Sequence, residues 1–346
     1  MDIKLTETYQ EIISQTIAWE EAIKVVRQFT PTFHTQWKSG HVTNAIFTGC
    51  GSTYYLSISA ASFFQEMTGI PSRAVPAGEL YLYPQANIPD RERTMMVAIS
   101  RSGGTSETVA AVQRFQRQGS GIVVVISNNP DSPLAKLGDH AILIPAGREK
   151  SVAQTRSFAS MYLAVTAFTA GLENRGDLLD EMEGLPALGR RLINNYQEIA
   201  REIGENLDID RFYFLGSGVR YGLACEASLK MKEMTLSHSE PFHFLEFRHG
   251  PMAMVSSSSQ VVGLLSETRR THEKAVLDEM HALGARILSL GESESVVNFD
   301  SRLPEEIRNV LYLPILQLLA CYRSVTKGLN PDQPTHLNAV VSLDLL

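Results

Sequence analysis

Residues 94–108 read Thr-Met-Met-Val-Ala-Ile-Ser-Arg-Ser-Gly-Gly-Thr-Ser-Glu-Thr. The apolar run Met95–Ile99 predicts a buried strand, which empties into Ser100-Arg101-Ser102-Gly103-Gly104-Thr105 just before a helical pattern begins at Ser106. Strand, small polar loop and helix together form a cradle for an anion. The helix start offers backbone N–H groups with partial positive charge, glycine permits close approach, and hydroxyls can donate to phosphoryl oxygens. The competing reading is an ordinary helix capped by Ser102 or Thr105.

Outward from this stretch the chain alternates strand and helix. Ala45–Thr48 leads into Gly49-Cys50-Gly51-Ser52-Thr53 and a helix from Tyr54 to about Met67. Ser72–Pro76 is extended, a helix runs from Ser106 to about Gln118, and strands follow at Ile122–Ile126 and Ala141–Ile144. Such alternation specifies a parallel sheet covered on both faces, with ligands at the carboxyl ends of the strands. Both glycine-containing loops fall at that end. The loop 147–155 and a helix from Arg156 to about Ala170 close this half. Residues 173–190 read as a linker with some helical content.

The pattern then restarts. A shift of 167 positions superposes Phe47 on Phe214, Gly49 on Gly216, Gly51 on Gly218, Tyr54 on Tyr221, Leu56 on Leu223, Ala60 on Ala227, Glu66 on Glu233, Met67 on Met234 and Glu79 on Glu246. Random pairing of common residues matches only about 6% of columns, so an internal duplication is the economical explanation. The expected architecture is α/β, two tandem doubly wound parallel-sheet domains, each a three-layer αβα sandwich. The expected boundaries are a helical segment 1–34, a first domain 35–175, a helical linker 176–198, a second domain 199–330 and a tail 331–346 folded back over a site. Strands of the second half are expected at Val261–Leu265, Ile287–Leu290 and Val310–Leu313. Its counterpart of the serine loop reads Ser266-Glu267-Thr268-Arg269-Arg270, where a glutamate opposes anion binding and two arginines weaken that argument.

Composition limits the function. With 346 residues and a net charge of −7, the basic residues being scattered, neither nucleic acid nor an anionic membrane surface is an expected partner. The first 21 residues read as an amphipathic helix unlike a signal peptide, and Val310–Tyr322 is too short to span a bilayer. Cys50, Cys225 and Cys321 are sparse and lack metal-ligand spacing, which fits a cytoplasmic protein without a metal. Cys50 reads as a small packing residue beside a turn, with a nucleophile as the alternative.

Two constellations carry chemistry. Glu226, Lys230 and Glu233 are spaced four and three apart and share a helix face that is otherwise apolar. A partly buried, tuned carboxylate is one reading and a solvated Glu–Lys face the other. Glu246-Phe247-Arg248-His249-Gly250-Pro251 places His249 beside charged neighbours able to orient it, which suits opening a sugar ring. His238 and His243 are weaker candidates.

These loops, with Val152-Ala153-Gln154-Thr155-Arg156, resemble the SIS (sugar isomerase) family over essentially the whole chain. More narrowly they resemble the isomerase half of glutamine:fructose-6-phosphate amidotransferases. The resemblance implies phosphate contacts from Thr53, Ser100, Arg101, Ser102 and Thr105, with Arg101 adding positive charge. It adds further substrate contacts from Cys50, Gly51, Ser52, Val152, Gln154, Glu246 and Asn338. It also implies C1/C2 proton transfer by Glu233, support from Lys230, and ring opening by His249 reaching in from the other subunit of a homodimer. No cofactor is implied. The synthases carry glutamine where Arg101 stands, serine where Gln154 stands and a Schiff-base lysine where Ala339 stands. The expected activity is therefore release of an amine from a 6-phosphorylated amino sugar or sugar–amino acid adduct, as in stand-alone deaminases and deglycases. Aldose–ketose isomerisation and a non-catalytic sugar-phosphate regulator are the alternatives. Gln154, Ala339 and Phe242-His243-Phe244 are expected to shape the pocket.

Overall fold

A computed structural model describes residues 2–88, 90, 92–119 and 121–344. The chain forms two compact units, one of Ser14–Glu149, Arg156–Gly184 and Asn338–Leu346, the other of Met1–Ile13, Lys150–Thr155 and Leu185–Leu337.

The first of these contains strands β1 (Asn44–Gly49), β2 (Ser72–Pro76), β3 (Thr94–Ser100), β4 (Ile122–Ser127) and β5 (His140–Leu143). They pair in parallel in the order β2-β1-β3-β4-β5, with Val97 opposite Phe47 on one side and Val124 on the other. Every residue of β3 and β4 is buried. Burial on both faces is what an unbroken apolar run requires. Helices Ser52–Thr68, Ser106–Gln118 and Arg156–Leu172 belong to this unit.

The second sheet holds β6 (Arg211–Leu215), β7 (His238–Phe242), β8 (Ser259–Leu264), β9 (Arg286–Gly291) and β10 (Val297–Asn298). Its parallel order, β7-β6-β8-β9-β10, repeats that of the first. The repetition extends to backbone detail, since Gly51 and Gly218 both adopt φ +56° in the turn before the first helix of their repeat, a conformation costly for residues with a Cβ. The tandem α/β sandwiches expected from the sequence are therefore present.

Several local expectations need correction. Val310–Leu313 is not a strand: a 3-10 turn, Asn309–Tyr312, runs into the helix Leu313–Thr326, whose residues from Leu313 to Ser324 are all buried. A helix apolar all round shows no period, so sequence alone confuses it with a buried strand. The edge strand β7 was not anticipated, because His238-Ser239-Glu240-Pro241-Phe242 is polar and contains proline, tolerable only at a sheet edge. The opening helix is interrupted at Gln15, giving Glu7–Ser14 and Thr16–Lys38, and Met1 lies outside the described residues. The segment 176–198, expected to be helical, contains the helix Gly176–Met182 and the start of a 21-residue helix, Leu185–Glu205. The tail has no helix up to Asp344, and Leu345 and Leu346 lie outside the described residues. No helix among the described residues is long and apolar enough to cross a membrane.

Helix Glu7–Ser14 is capped from far along the chain. Asp332 accepts from the backbone N–H of Glu7 and Thr8 at 3.0 and 2.8 Å and from the Thr8 hydroxyl at 2.7 Å, while Thr6 Oγ1 accepts from Tyr9 N at 3.2 Å. Asp332→Ala is expected to lower the unfolding free energy by about 1–2 kcal/mol, the usual cost of a lost carboxylate cap, measured as a shifted urea midpoint with unchanged slope.

Candidate active site

The candidate residues fall into two sets, one in each compact unit. In the unit containing β1–β5, the adjacent strands β1 and β3 end in the loops 50–53 and 100–105. Cys50 Sγ lies 3.5 Å from Thr108 Oγ1 and joins the first loop to the helix after the second. Burial pushes the Cys50 thiol up, against the Thr108 hydrogen bond, and the Glu107 charge adds to the rise. Cys50, partly buried, packs against the cluster around Ile46, Met96 and Val112.

The serine loop is preshaped. Gly103 has φ +62°, and a Cβ there would stand 2.1 Å from Ser132 Oγ. Ser100 Oγ accepts from Gly103 N, and Ser102 Oγ from Gly104 N, each at 3.1 Å. Accepting from the backbone leaves each hydroxyl proton available to an anion. Thr105 occupies the N-cap of Ser106–Gln118 yet its side chain makes no capping bond, which removes the plain-cap reading for that residue. The Thr53 hydroxyl, in contrast, is engaged within its own loop, bonded to Cys50 N and O at 3.0 Å each. Arg101 lies 3.6 Å from the buried Glu149 carboxylate and donates to Ala339 O at 2.9 Å. Its charge is balanced internally, and its second role is to hold the tail. Val341 O accepts from Ser106 N at 3.4 Å, and Leu343 N donates to Ser106 Oγ at 2.9 Å. The tail thus lies against the serine loop, with Asn338 exposed next to Ala339.

In the other unit, helix Arg220–Thr235 carries the charged line. Lys230 is 1% exposed, 3.3 Å from Glu226, which is 2% exposed, and in direct contact with half-buried Glu233. Burial alone would push the Lys230 ammonium down, but the two carboxylates outweigh it and hold the group up, so it stays charged. The solvated-face reading is excluded, because an exposed Glu–Lys pair would not bury its nitrogen. The helix start is fixed by Arg220, bonded to Glu305 at 2.8 Å and Asn309 at 3.4 Å.

His249 is exposed on a 3-10 turn followed by Gly250 at φ +120°. Arg248 does not orient it, since its guanidinium binds Glu279 through two bonds of 2.7 and 2.6 Å. Glu246 meets His249 through the backbone, accepting its N–H at 2.9 Å. Phe244 is buried in the core, with the partly buried Phe242 packed against it. His243 stacks on Tyr221 with ring centroids 3.8 Å apart, and burial pushes its imidazole down despite Glu246. Val152 and Gln154 sit on the loop Lys150–Thr155 of the same unit.

The duplicated cradle is filled by the chain itself. Glu305 accepts from Glu267 N at 3.1 Å and Thr268 N at 3.3 Å, and Glu273 accepts from Ser266 N at 2.6 Å and Ser266 Oγ at 2.9 Å. The side chain of Glu267 pairs with Arg308 at 2.6 Å. Sequence reasoning looked for repulsion by Glu267. It missed Glu305, which lies 38 residues away and carries no local signal.

Parallel α/β tandem sandwiches with a preshaped hydroxyl loop in one and a buried Glu-Lys-Glu helix in the other define the class. The SIS domain model matches residues 41–171 and 207–302, and the chain belongs to that family. It is 28% identical over 337 residues, 94% of its length, to glutamine–fructose-6-phosphate aminotransferase [isomerizing] of Methanothermobacter thermautotrophicus. It is 30% identical over 315 residues, 86% of its length, to the protein of that name from Pyrococcus horikoshii. The chain spans about half of these relatives, 54% and 52%. Among solved structures, glucosamine-6-phosphate deaminase of Thermotoga maritima superposes with a TM-score of 0.80 at 26% identity, over 98% of this chain and 100% of that one. Tagatose-6-phosphate ketose/aldose isomerase of Escherichia coli shares the fold, with a TM-score of 0.86 at 22% identity over 97% of each chain.

Removing the buried cation leaves Glu226 without a counter-charge. Lys230→Met is expected to destabilise by about 3–5 kcal/mol near pH 8, as for other broken buried ion pairs. Urea melts measure the loss.

Proposed function

We propose that this chain is an enzyme that releases the amine from a 6-phosphorylated amino sugar or sugar–amino acid adduct by moving a proton between C1 and C2. The observation that carries the reading is the buried Lys230 ammonium in contact with Glu233, which holds a half-buried carboxylate in place. Ser100, Ser102 and Thr105 would bind the phosphoryl group. The Ser100 and Ser102 hydroxyls accept from the backbone and keep their protons to donate, whereas the second cradle is occupied by Glu305. The likeness to a glucosamine-6-phosphate deaminase over its whole length supports the substrate class.

In this reading His249 assists ring opening. For nitrogen on C2, Glu233 takes the C2 proton of the open-chain aldehyde, the electrons form an enolamine, and protonation at C1 leaves an imine at C2. Water adds to that imine, the C–N bond breaks, and ammonia leaves a 2-ketose. For nitrogen on C1 of a ketose adduct the same steps run from C1 to C2, and hydrolysis yields an aldose and the free amine. The substrate supplies the nitrogen of the imine, so a protein lysine at position 339 is dispensable. Three free thiols, two of them buried, fit a reducing cytoplasm.

Incubation with glucosamine 6-phosphate and with 6-phosphofructosyl- and 6-phosphoglucosyl-lysine should liberate ammonia or lysine. Glu233→Gln should lower kcat by roughly 10²–10⁴ with little change in substrate affinity, as for loss of a general base. Interconversion of glucose 6-phosphate and fructose 6-phosphate without amine release would establish the aldose–ketose isomerase instead. Binding without any turnover would establish a regulator.

The exposure of His249 fits a side chain that completes the site of a second copy in a homodimer. Inactive Glu233→Gln and His249→Ala proteins, unfolded together and refolded, should then recover part of the wild-type rate. Mixtures no more active than either parent would place both residues in one subunit's site.

A further inference from the structure

A cavity of about 550 Å3 opens between the helix Leu185–Glu205 and the loops that follow β9 and β10, lined by Arg191, Glu292, Ser293, Asp300, Ser301 and Arg302. All of these residues belong to one compact unit, and the serine loop 100–105 belongs to the other. Parallel sheets take their ligands at the carboxyl ends of the strands. The volume falls within the roughly 300–1,000 Å3 of small-molecule sites.

The two loops are held in costly conformations. Six described non-glycine residues have positive φ, and three of them, Glu294 at +48°, Asp300 at +44° and Arg302 at +60°, lie here. Such residues persist only where their surroundings over-determine them, and they gather at binding sites. Glu292 supplies the restraint, accepting from the Ser301 hydroxyl at 2.6 Å and from Arg302 N at 2.7 Å, with Arg308 Nε 3.6 Å away. Glycine would suit the backbone at 302 better than a residue with a Cβ. The chain instead carries an exposed arginine whose guanidinium has no partner among the described residues.

The uncommitted groups around the cavity are mainly donors. Arg191 is fixed by donating to Phe299 O and, at 3.0 Å, to Asp300 O, and it forms no ion pair among the described residues. Ser293 Oγ accepts from Arg270 Nη1 at 3.2 Å, which leaves its proton to give. The Glu292 carboxylate is engaged by Ser301, Arg302 and Arg308, so Asp300 supplies the free acceptor.

We propose that this cavity is a second ligand site, taking the phosphoryl group of a phosphorylated polyol on Arg191, Arg302 and Ser293, with Asp300 accepting from one of the polyol hydroxyls. One guanidinium already satisfies a carboxylate through two parallel bonds. Two guanidiniums and a hydroxyl match instead the three terminal oxygens and nearly double negative charge of a phosphate monoester. Leu188 offers the carbon skeleton an apolar wall. The site is independent of the chemistry assigned to Glu233.

Calorimetry on the full chain, with inorganic phosphate and with glucitol 6-phosphate, which has no carbonyl to isomerise, tests the proposal. Two molecules of glucitol 6-phosphate should bind per chain, one at the serine loop and one here. Arg302→Gly should weaken the second about tenfold or more, while the protein melts no lower than wild type because the left-handed backbone is relieved. Should it melt uncooperatively, Arg302→Asn removes the same charge with a side chain that also enters this region. Asp300→Asn should leave inorganic phosphate bound and weaken glucitol 6-phosphate severalfold. A single bound molecule that Arg302→Gly leaves in place would overturn this site and leave the serine loop's grip on phosphate standing, and a single molecule lost with Arg302→Gly would do the reverse. Citrate bound at the Arg302-dependent site as tightly as glucitol 6-phosphate would overturn the assignment by reducing it to a general attraction of anions. No binding of either phosphate compound would overturn both sites.

Discussion

An ammonium group almost wholly removed from water, with a carboxylate on either side, is the constraint on which the reading of this molecule depends. Lys230 is retained in the interior because Glu226 and Glu233 lie one turn before and after it on the same helical face. Desolvating a charge is expensive, and only close opposite charge makes it tolerable. Three ionic groups with a net negative charge remain, and the outer one, Glu233, is only half buried. The arrangement stabilises little in itself. What it supplies is a fixed position and a fixed hydrogen-bond partner for a carboxylate that must otherwise choose among rotamers.

The surroundings of the helix serve the same end. Its first residue, Arg220, is clamped by Glu305 and Asn309, and Glu305 simultaneously occupies the backbone donors of the loop 266–268. One carboxylate thus anchors the charged helix and closes the duplicated cradle. The two halves share strand order and the φ +56° glycine turn, but they have diverged in electrostatics. One retains hydroxyls with protons to donate, and the other has turned its donors toward its own acids. Duplication has been followed by opposite use of the same backbone.

Segments far apart in sequence then set the loops within each unit. Asp332 caps the first helix and, through its carbonyl, fixes Val152. Glu11 on that helix fixes Lys150 and Ser151. Arg101 pairs with Glu149 and secures the tail at Ala339. These contacts make the loop 150–155 and the serine loop parts of two frameworks, each stiffened by a different terminal segment.

The sequence by itself determined the architecture, the duplication and the shared face of Glu226, Lys230 and Glu233, because each depends on local period or spacing. Apolar runs of strand length, glycines at 51 and 218 and a helical spacing of four and three are visible without neighbours. Tertiary structure alone decided that this face is buried, that Arg248 binds Glu279 rather than orienting His249, and that Glu305 fills the second cradle. It also decided that Leu313–Thr326 is a helix, since full burial had erased the period that would have shown it. The physical reason is common to all of these: burial and charge pairing are set by residues tens to hundreds of positions away, and no local pattern in the chain records which of them arrive.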